Sequence, residues 1–201
     1  SRRTDETAAL VNLWGGRQAV LPWSDFTTEM IIAADPPPLL AFRAEALLRT
    51  AINDAVVAAL DAQEAHARPA PAATDARITP LDAAAEPAPS FPSVHAAIAG
   101  AATTVLAWLY PDASDAGFAG VAQEAAESRL WAGAAFRSDI EAGLELGRAV
   151  GDLAIAHGEA EGSDAEWDGS GWPTGDGYYE RTPPMMADPF APLAGTWATW
   201  V

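Results

Sequence analysis

Gly143, Gly147 and Gly151 recur at four-residue steps inside an otherwise helical pattern that runs from Ser138 to Ala156. Each glycine costs a helix about 1 kcal/mol relative to alanine. Three on one ridge imply that a second backbone approaches too closely for any Cβ to fit. That requirement constrains the fold more than any other stretch, because it asks for a partner helix with a matching face of small residues. Ser93–Leu109 supplies one, with Ala96, Ala97, Gly100, Ala101 and Thr104 on one side. The two segments predict a tightly packed helix pair.

Two further long segments repeat their apolar residues at helical spacing. In Leu39–Ala65 the stripe is Leu40, Ala44, Leu47, Leu48, Ala51, Ile52, Ala55, Val56, Ala59 and Leu60. In Ser114–Trp131 it is Phe118, Ala122, Ala125 and Arg129, with Ser114 or Asp115 as the cap. Ser138 with Glu141 reads as a capping box for the glycine-bearing helix. Asp25–Ala34 reads as a short helix capped by Ser24 and stopped by Pro36-Pro37-Pro38. Ser1–Thr7 is polar and expected to fray, and Ala8–Pro22 is ambiguous because Gly15-Gly16 interrupts it. Arg68–Ser90 carries prolines at 69, 71, 80, 87 and 89 and reads as a loop. The prediction is an all-α bundle with main helices near 39–65, 93–110, 114–132 and 138–157. The residues are expected to form a single domain, 1–201, with the Gly-, Pro- and Trp-rich segment 159–201 as an extended tail over the bundle.

Composition narrows the function. The chain has 28 acidic residues against 11 basic ones, all of them arginine, for a net charge of −17. Such a surface repels nucleic acid and anionic membrane and by itself serves solubility. Cysteine is absent, which removes disulfides and thiolate chemistry. With three histidines no multi-histidine metal site is expected, although carboxylates remain able to hold a hard cation. The longest apolar stretch, Ala96–Tyr110, has 15 residues, short for a membrane span. The expected partner is a small-molecule ligand, and a homo-oligomer is compatible with the sequence. No secretory signal is visible, so a soluble chain is expected, cytoplasmic or secreted after removal of a leader.

The residues that point to chemistry fall in three blocks. Arg68-Pro69 opens the loop. Pro92-Ser93-Val94-His95 heads the second long helix. Ser128-Arg129 is followed by Ala135 and Asp139. Arg129 closes an apolar stripe, and a buried arginine there needs an anionic partner. Taken alone, Arg68 reads equally well as a surface-loop arginine and His95 as a structural histidine. Taken together, the blocks resemble the vanadium-dependent haloperoxidase and type 2 phosphatidic acid phosphatase superfamily. The Trp23 region, Ile78-Thr79-Pro80-Leu81, the run 138–143 and Ala194-Gly195-Thr196-Trp197 resemble its soluble bacterial members.

The resemblance implies a helical bundle of the haloperoxidase/acid phosphatase kind and an oxyanion site formed by Arg68, Ser93 and Arg129. It implies that His95 is the general acid and that Asp139 orients a histidine nucleophile or vanadate ligand. Ala135 stands where that histidine belongs. The family's lysine is missing as well, with Asp61 and Gln63 upstream of Arg68-Pro69, and Val94 replaces a glycine. A methyl group neither attacks phosphorus nor ligates vanadium. The expectation is therefore no vanadate cofactor, no competent phosphatase or haloperoxidase, and an Asp139 that has lost its partner. Residue 135 would face Asp139 if the turn between them is helical.

Three functions remain. The first is a repurposed small-molecule enzyme, in which His95 and Asp139 do acid–base work such as cyclisation, dehydration or isomerisation in the old pocket. The second is a non-catalytic binding or scaffold protein. The third is an orthodox phosphatase or haloperoxidase in which Ala135 is an introduced substitution.

Overall fold

The computed structural model describes residues 3–15, 19–81, 89–171 and 173–200, and leaves the side chains of 114–116 outside that set. The order is α1 (Asp5–Trp14), α2 (Leu21–Ala34), α3 (Pro38–His66), α4 (Pro71–Thr74), α5 (Val94–Leu109), α6 (Phe118–Ala132) and α7 (Arg137–Ala160). Short 3-10 turns lie at Pro111–Ala116 and Ala194–Thr196. Among the described residues there is no strand, and no helix is long and apolar enough to cross a membrane. The chain divides into two compact units, Ser1–Ile155 and Ala156–Val201.

In the first unit α5 is the central element. Its residues Ala96–Ala102, Val105 and Leu106 are buried, and it packs against both α3 and α6. α3 contributes Leu47, Leu48, Ala51, Ile52, Ala55 and Ala59 to the same core. Alanine dominates these faces, so the helix axes approach closely and little side-chain entropy is lost on burial.

The glycine ridge does what its spacing demands. A Cβ at Gly143 would lie 2.5 Å from the Ser93 carbonyl oxygen, and one at Gly147 would lie 2.1 Å from that of Ala97. At Gly151 it would meet Thr104 Cβ at 2.8 Å. From the other side, a Cβ at Gly100 would lie 2.6 Å from the Leu144 carbonyl oxygen. Backbone thus meets backbone, and α7 seats on the small face of α5.

Several helix ends differ from expectation. The N-terminal stretch does not fray at residue 4: Thr4 and Thr7 cap α1 reciprocally, a capping box with threonine in place of the usual acid. Val11 and Trp14 then bury one face of α1, and Trp14 packs against Trp23 with centroids 5.0 Å apart and the rings tilted by 36°. Pro22 begins α2 rather than ending the preceding segment, since proline suits the first helical turn. α6 starts at Phe118, after Gly117 at φ 91°. The cap expected at Ser114 or Asp115 falls on side chains outside the described residues. Within the expected loop 68–90, Pro71–Thr74 forms a single helical turn.

The second unit consists of the end of α7 followed by turns. Its His157 ring is half-buried and stacks on Trp200 with centroids 3.9 Å apart. The Ala198 amide donates to the Glu161 carbonyl at 2.8 Å, and Arg181 pairs with Asp188.

Candidate functional site

The site begins where the chain enters α5. Ser93 is the N-cap, and its hydroxyl accepts from the Ala96 amide at 3.4 Å. Its own amide donates to the Asp139 carbonyl at 2.9 Å, which ties the start of α5 to the start of α7. The segment before it is held from α3, where Gln63 Nε2 donates to the Pro92 carbonyl at 2.8 Å. Gln63 is one of the two positions at which the expected lysine is missing, and in this chain it braces a loop. The Ser90 amide donates to the Arg68 carbonyl at 2.9 Å, so the segments leading from Arg68 and into Ser93 are joined through backbone.

Asp139 has a partner other than residue 135. Its carboxylate is fully buried, and Oδ1 accepts from Arg68 Nη1 at 2.7 Å. Oδ2 accepts from the Phe136 amide at 2.8 Å. The Phe136 carbonyl in turn accepts from the Asp139 and Ile140 amides, so Phe136 precedes the first turn of α7 and Asp139 reaches back to cap it. The box expected from Ser138 and Glu141 is displaced by this arrangement, and Ser138 instead accepts from Arg68 Nη1 at 2.8 Å. The guanidinium lies 4.6 Å from the Phe136 ring centroid and 5.8 Å from that of Phe91. Aromatic faces add to the attraction on the cation.

Ala135 is buried in the link between α6 and α7, not on a helix. Gly133 at φ 75° ends α6, and the Ala134 and Ala135 amides both donate to the Arg129 carbonyl, at 3.0 and 3.2 Å. A residue at 135 therefore does not face Asp139 across a helical turn.

Arg129 is buried, at 3% exposure, and two of its contacts are to neutral oxygens. Its Nε donates to Ser128 Oγ at 3.0 Å and its Nη2 to the Val11 carbonyl at 3.0 Å. Val11 lies in the last turn of α1, where helix carbonyls lack intrahelical donors and carry the negative end of the dipole. Gly15 makes room for this contact, because a Cβ there would lie 2.9 Å from Arg129 Nη2 and 2.4 Å from the Val11 carbonyl oxygen. Gly15→Ala should accordingly lower the urea midpoint by the equivalent of about 1–3 kcal/mol, the usual cost of overpacking. An unchanged midpoint would mean that α1 shifts freely.

His95 sits on the first turn of α5, half-buried, with Nε2 buried from solvent. Direct contacts thus join Arg68, Ser138, Asp139 and the Ser93 backbone, while Arg129 is held toward α1. Among the described residues no group of three histidines and carboxylates gathers as metal ligands would. Phe136 and Val11 were not singled out from sequence, and Gln63 was noted only as a place where the lysine is missing. Phe136 and Val11 act through backbone atoms, which residue type does not report, and Gly15 was the available signal for the Val11 contact.

The PAP2 superfamily profile matches residues 45–159, a span that holds Arg68, Ser93, His95, Arg129 and Asp139. The crystal structure described as that of the first bacterial vanadium-dependent iodoperoxidase superposes with a TM-score of 0.66 at 20% sequence identity. The match covers 76% of this chain and 43% of that one, so the chain spans less than half of that protein. Among curated proteins none matches.

Proposed function

Because the chain belongs to the PAP2 superfamily, we propose that it is a member that has left oxyanion chemistry and acts as a non-catalytic binding protein. The Arg68–Asp139 ion pair at 2.7 Å carries this reading. Phosphoryl transfer through a covalent intermediate needs a nucleophile, and a cation free to meet charge as it develops on the oxyanion. Ala135 supplies a methyl group in place of the first. Arg68 is already neutralised by a buried carboxylate that would otherwise hold the nucleophile. Ser93 Oγ is engaged as a helix cap, and Arg129 lies against Val11 and Ser128. The alternative of a repurposed acid–base enzyme draws less support, since His95 Nε2 is shielded from solvent.

p-Nitrophenyl phosphate hydrolysis tests the proposal. The unaltered chain should show no turnover, and Ala135→His should restore at most a trace. Losing one preorganised donor costs about 100- to 1000-fold in other enzymes, and both the lysine and the glycine at 94 remain missing. Adding Val94→Gly and Gln63→Lys should raise turnover well beyond the single change, because groups acting on one transition state are not additive. Full activity from Ala135→His alone, abolished by Asp139→Ala, would overturn the proposal and favour an orthodox enzyme carrying one substitution.

A further inference from the structure

A cleft of about 350 Å³ opens between α5, α6 and α7. Its floor is formed by Thr103, Phe118, Ala122 and Leu144, all buried. Gln123 and Arg148 stand on its rim. Arg148 differs from the other described arginines. Each of those has a hydrogen bond, an ion pair or an aromatic face: Arg3 on the Trp131 carbonyl, Arg43 on Trp108, and Arg49, Arg68, Arg77, Arg129, Arg137 and Arg181 on the partners they meet. Among the described residues Arg148 has no such partner, although Glu145 and Asp152 lie within one turn of it on α7. In a chain of net charge −17, a cation unpaired among the described residues and beside an apolar floor is a specific feature.

The other polar groups narrow the ligand. Thr103 Oγ1 donates to the Ala99 carbonyl at 2.7 Å and Thr104 Oγ1 to that of Gly100 at 2.8 Å. Gln123 Nε2 donates to Glu127 Oε1 at 2.9 Å. Each hydroxyl has one hydrogen, so neither threonine retains a donor. The donors left are the Arg148 guanidinium fork and the second N–H of Gln123. One fork matches one carboxylate in bidentate geometry. A phosphate dianion would bring a second negative charge into an already acidic molecule without a second cation to meet it. The volume lies within the range of small-molecule sites, which are mostly apolar with a few placed polar groups.

We propose that this cleft binds a small monocarboxylic acid with an apolar body. The carboxylate pairs with Arg148, and the body lies over Phe118, Ala122 and Leu144. The site is separate from the Arg68–Asp139 pair, and the inference does not rest on the loss of catalysis proposed above.

Isothermal titration of the full chain with octanoate, octanamide and octylamine tests it. Octanoate should bind saturably, and the neutral amide and the cationic amine more weakly. Arg148→Gln should weaken octanoate about tenfold or more, the usual effect of losing a hydrogen bond to a charged group. It should leave octanamide unchanged. Ala119→Trp, at an exposed position on the cleft wall, should weaken both ligands by filling the cleft. The idea fails if octanoate shows no saturable binding, if Arg148→Gln leaves its affinity unchanged, or if octylamine binds as tightly. Octanoate affinity unaffected by Ala119→Trp would place binding elsewhere and overturn it as well. The amide and amine arms use the unaltered chain, so the test survives a variant that does not fold.

Discussion

Gly147→Leu should prevent the first unit from folding, and Gly147→Ala should lower its stability by at least about 2 kcal/mol, toward the upper end of overpacking costs. Alanine normally stabilises a helix by about 1 kcal/mol over glycine, so the packing penalty must exceed that gain before any loss is seen. It does so here because the added Cβ would lie 2.1 Å from the Ala97 carbonyl oxygen and 2.8 Å from the Ala101 amide nitrogen. Both are backbone atoms of α5 and cannot rotate away. Relief requires the two helices to separate, and separation undoes the contacts at Gly143 and Gly151 together. Gly120, in α6, supplies the control: a Cβ there meets nothing within 4 Å, so Gly120→Ala should stabilise by about 1 kcal/mol. Urea unfolding of the two alanine variants reads both signs. Equal shifts would show that the ridge is not a packing device.

Asp139→Ala should cost about 3 kcal/mol, from two losses that add. The carboxylate caps α7 through the Phe136 amide, and removing a cap costs about 1 kcal/mol. It is also the buried half of the ion pair with Arg68. Breaking a fully buried pair costs about 3–5 kcal/mol, but the Arg68 side chain is 38% exposed and regains water, which brings the cost down. Asp139→Asn keeps an oxygen for the Phe136 amide and should lose less than the alanine variant. Arg68→Ala leaves the carboxylate buried without its cation. In a double-mutant cycle the Arg68 and Asp139 changes should couple by about 1–3 kcal/mol. Additive effects would mean that the pair contributes nothing as a pair.

The long helices and the seat of α7 on α5 were legible because both follow from spacing along a single segment. Gly143, Gly147 and Gly151 face one way on any helix, and Ala97, Gly100 and Ala101 do likewise. Helix starts were less legible. Thr7 in place of an acid hid the capping box of α1, and Asp139, read as a site residue, proved also to cap α7. The charge pairing within the site was not legible at all. Arg68 and Asp139 lie 71 residues apart, and each was assigned a different role by resemblance. Nothing local announces that the Asp139 carboxylate meets the Arg68 guanidinium. Arg129 illustrates the same limit: one of its contacts is a main-chain carbonyl at the end of α1, a group every residue type carries.

The 2.7 Å pair holds Arg68 on Asp139, and on the function proposed it receives no oxyanion. Titration of the unaltered chain with orthovanadate, followed by vanadium-51 NMR, tests it most directly. The account predicts no saturable binding up to millimolar vanadate, and no change on Arg68→Gln. Saturable binding that Arg68→Gln abolishes would contradict it, because the arginine would then be leaving Asp139 to hold the anion.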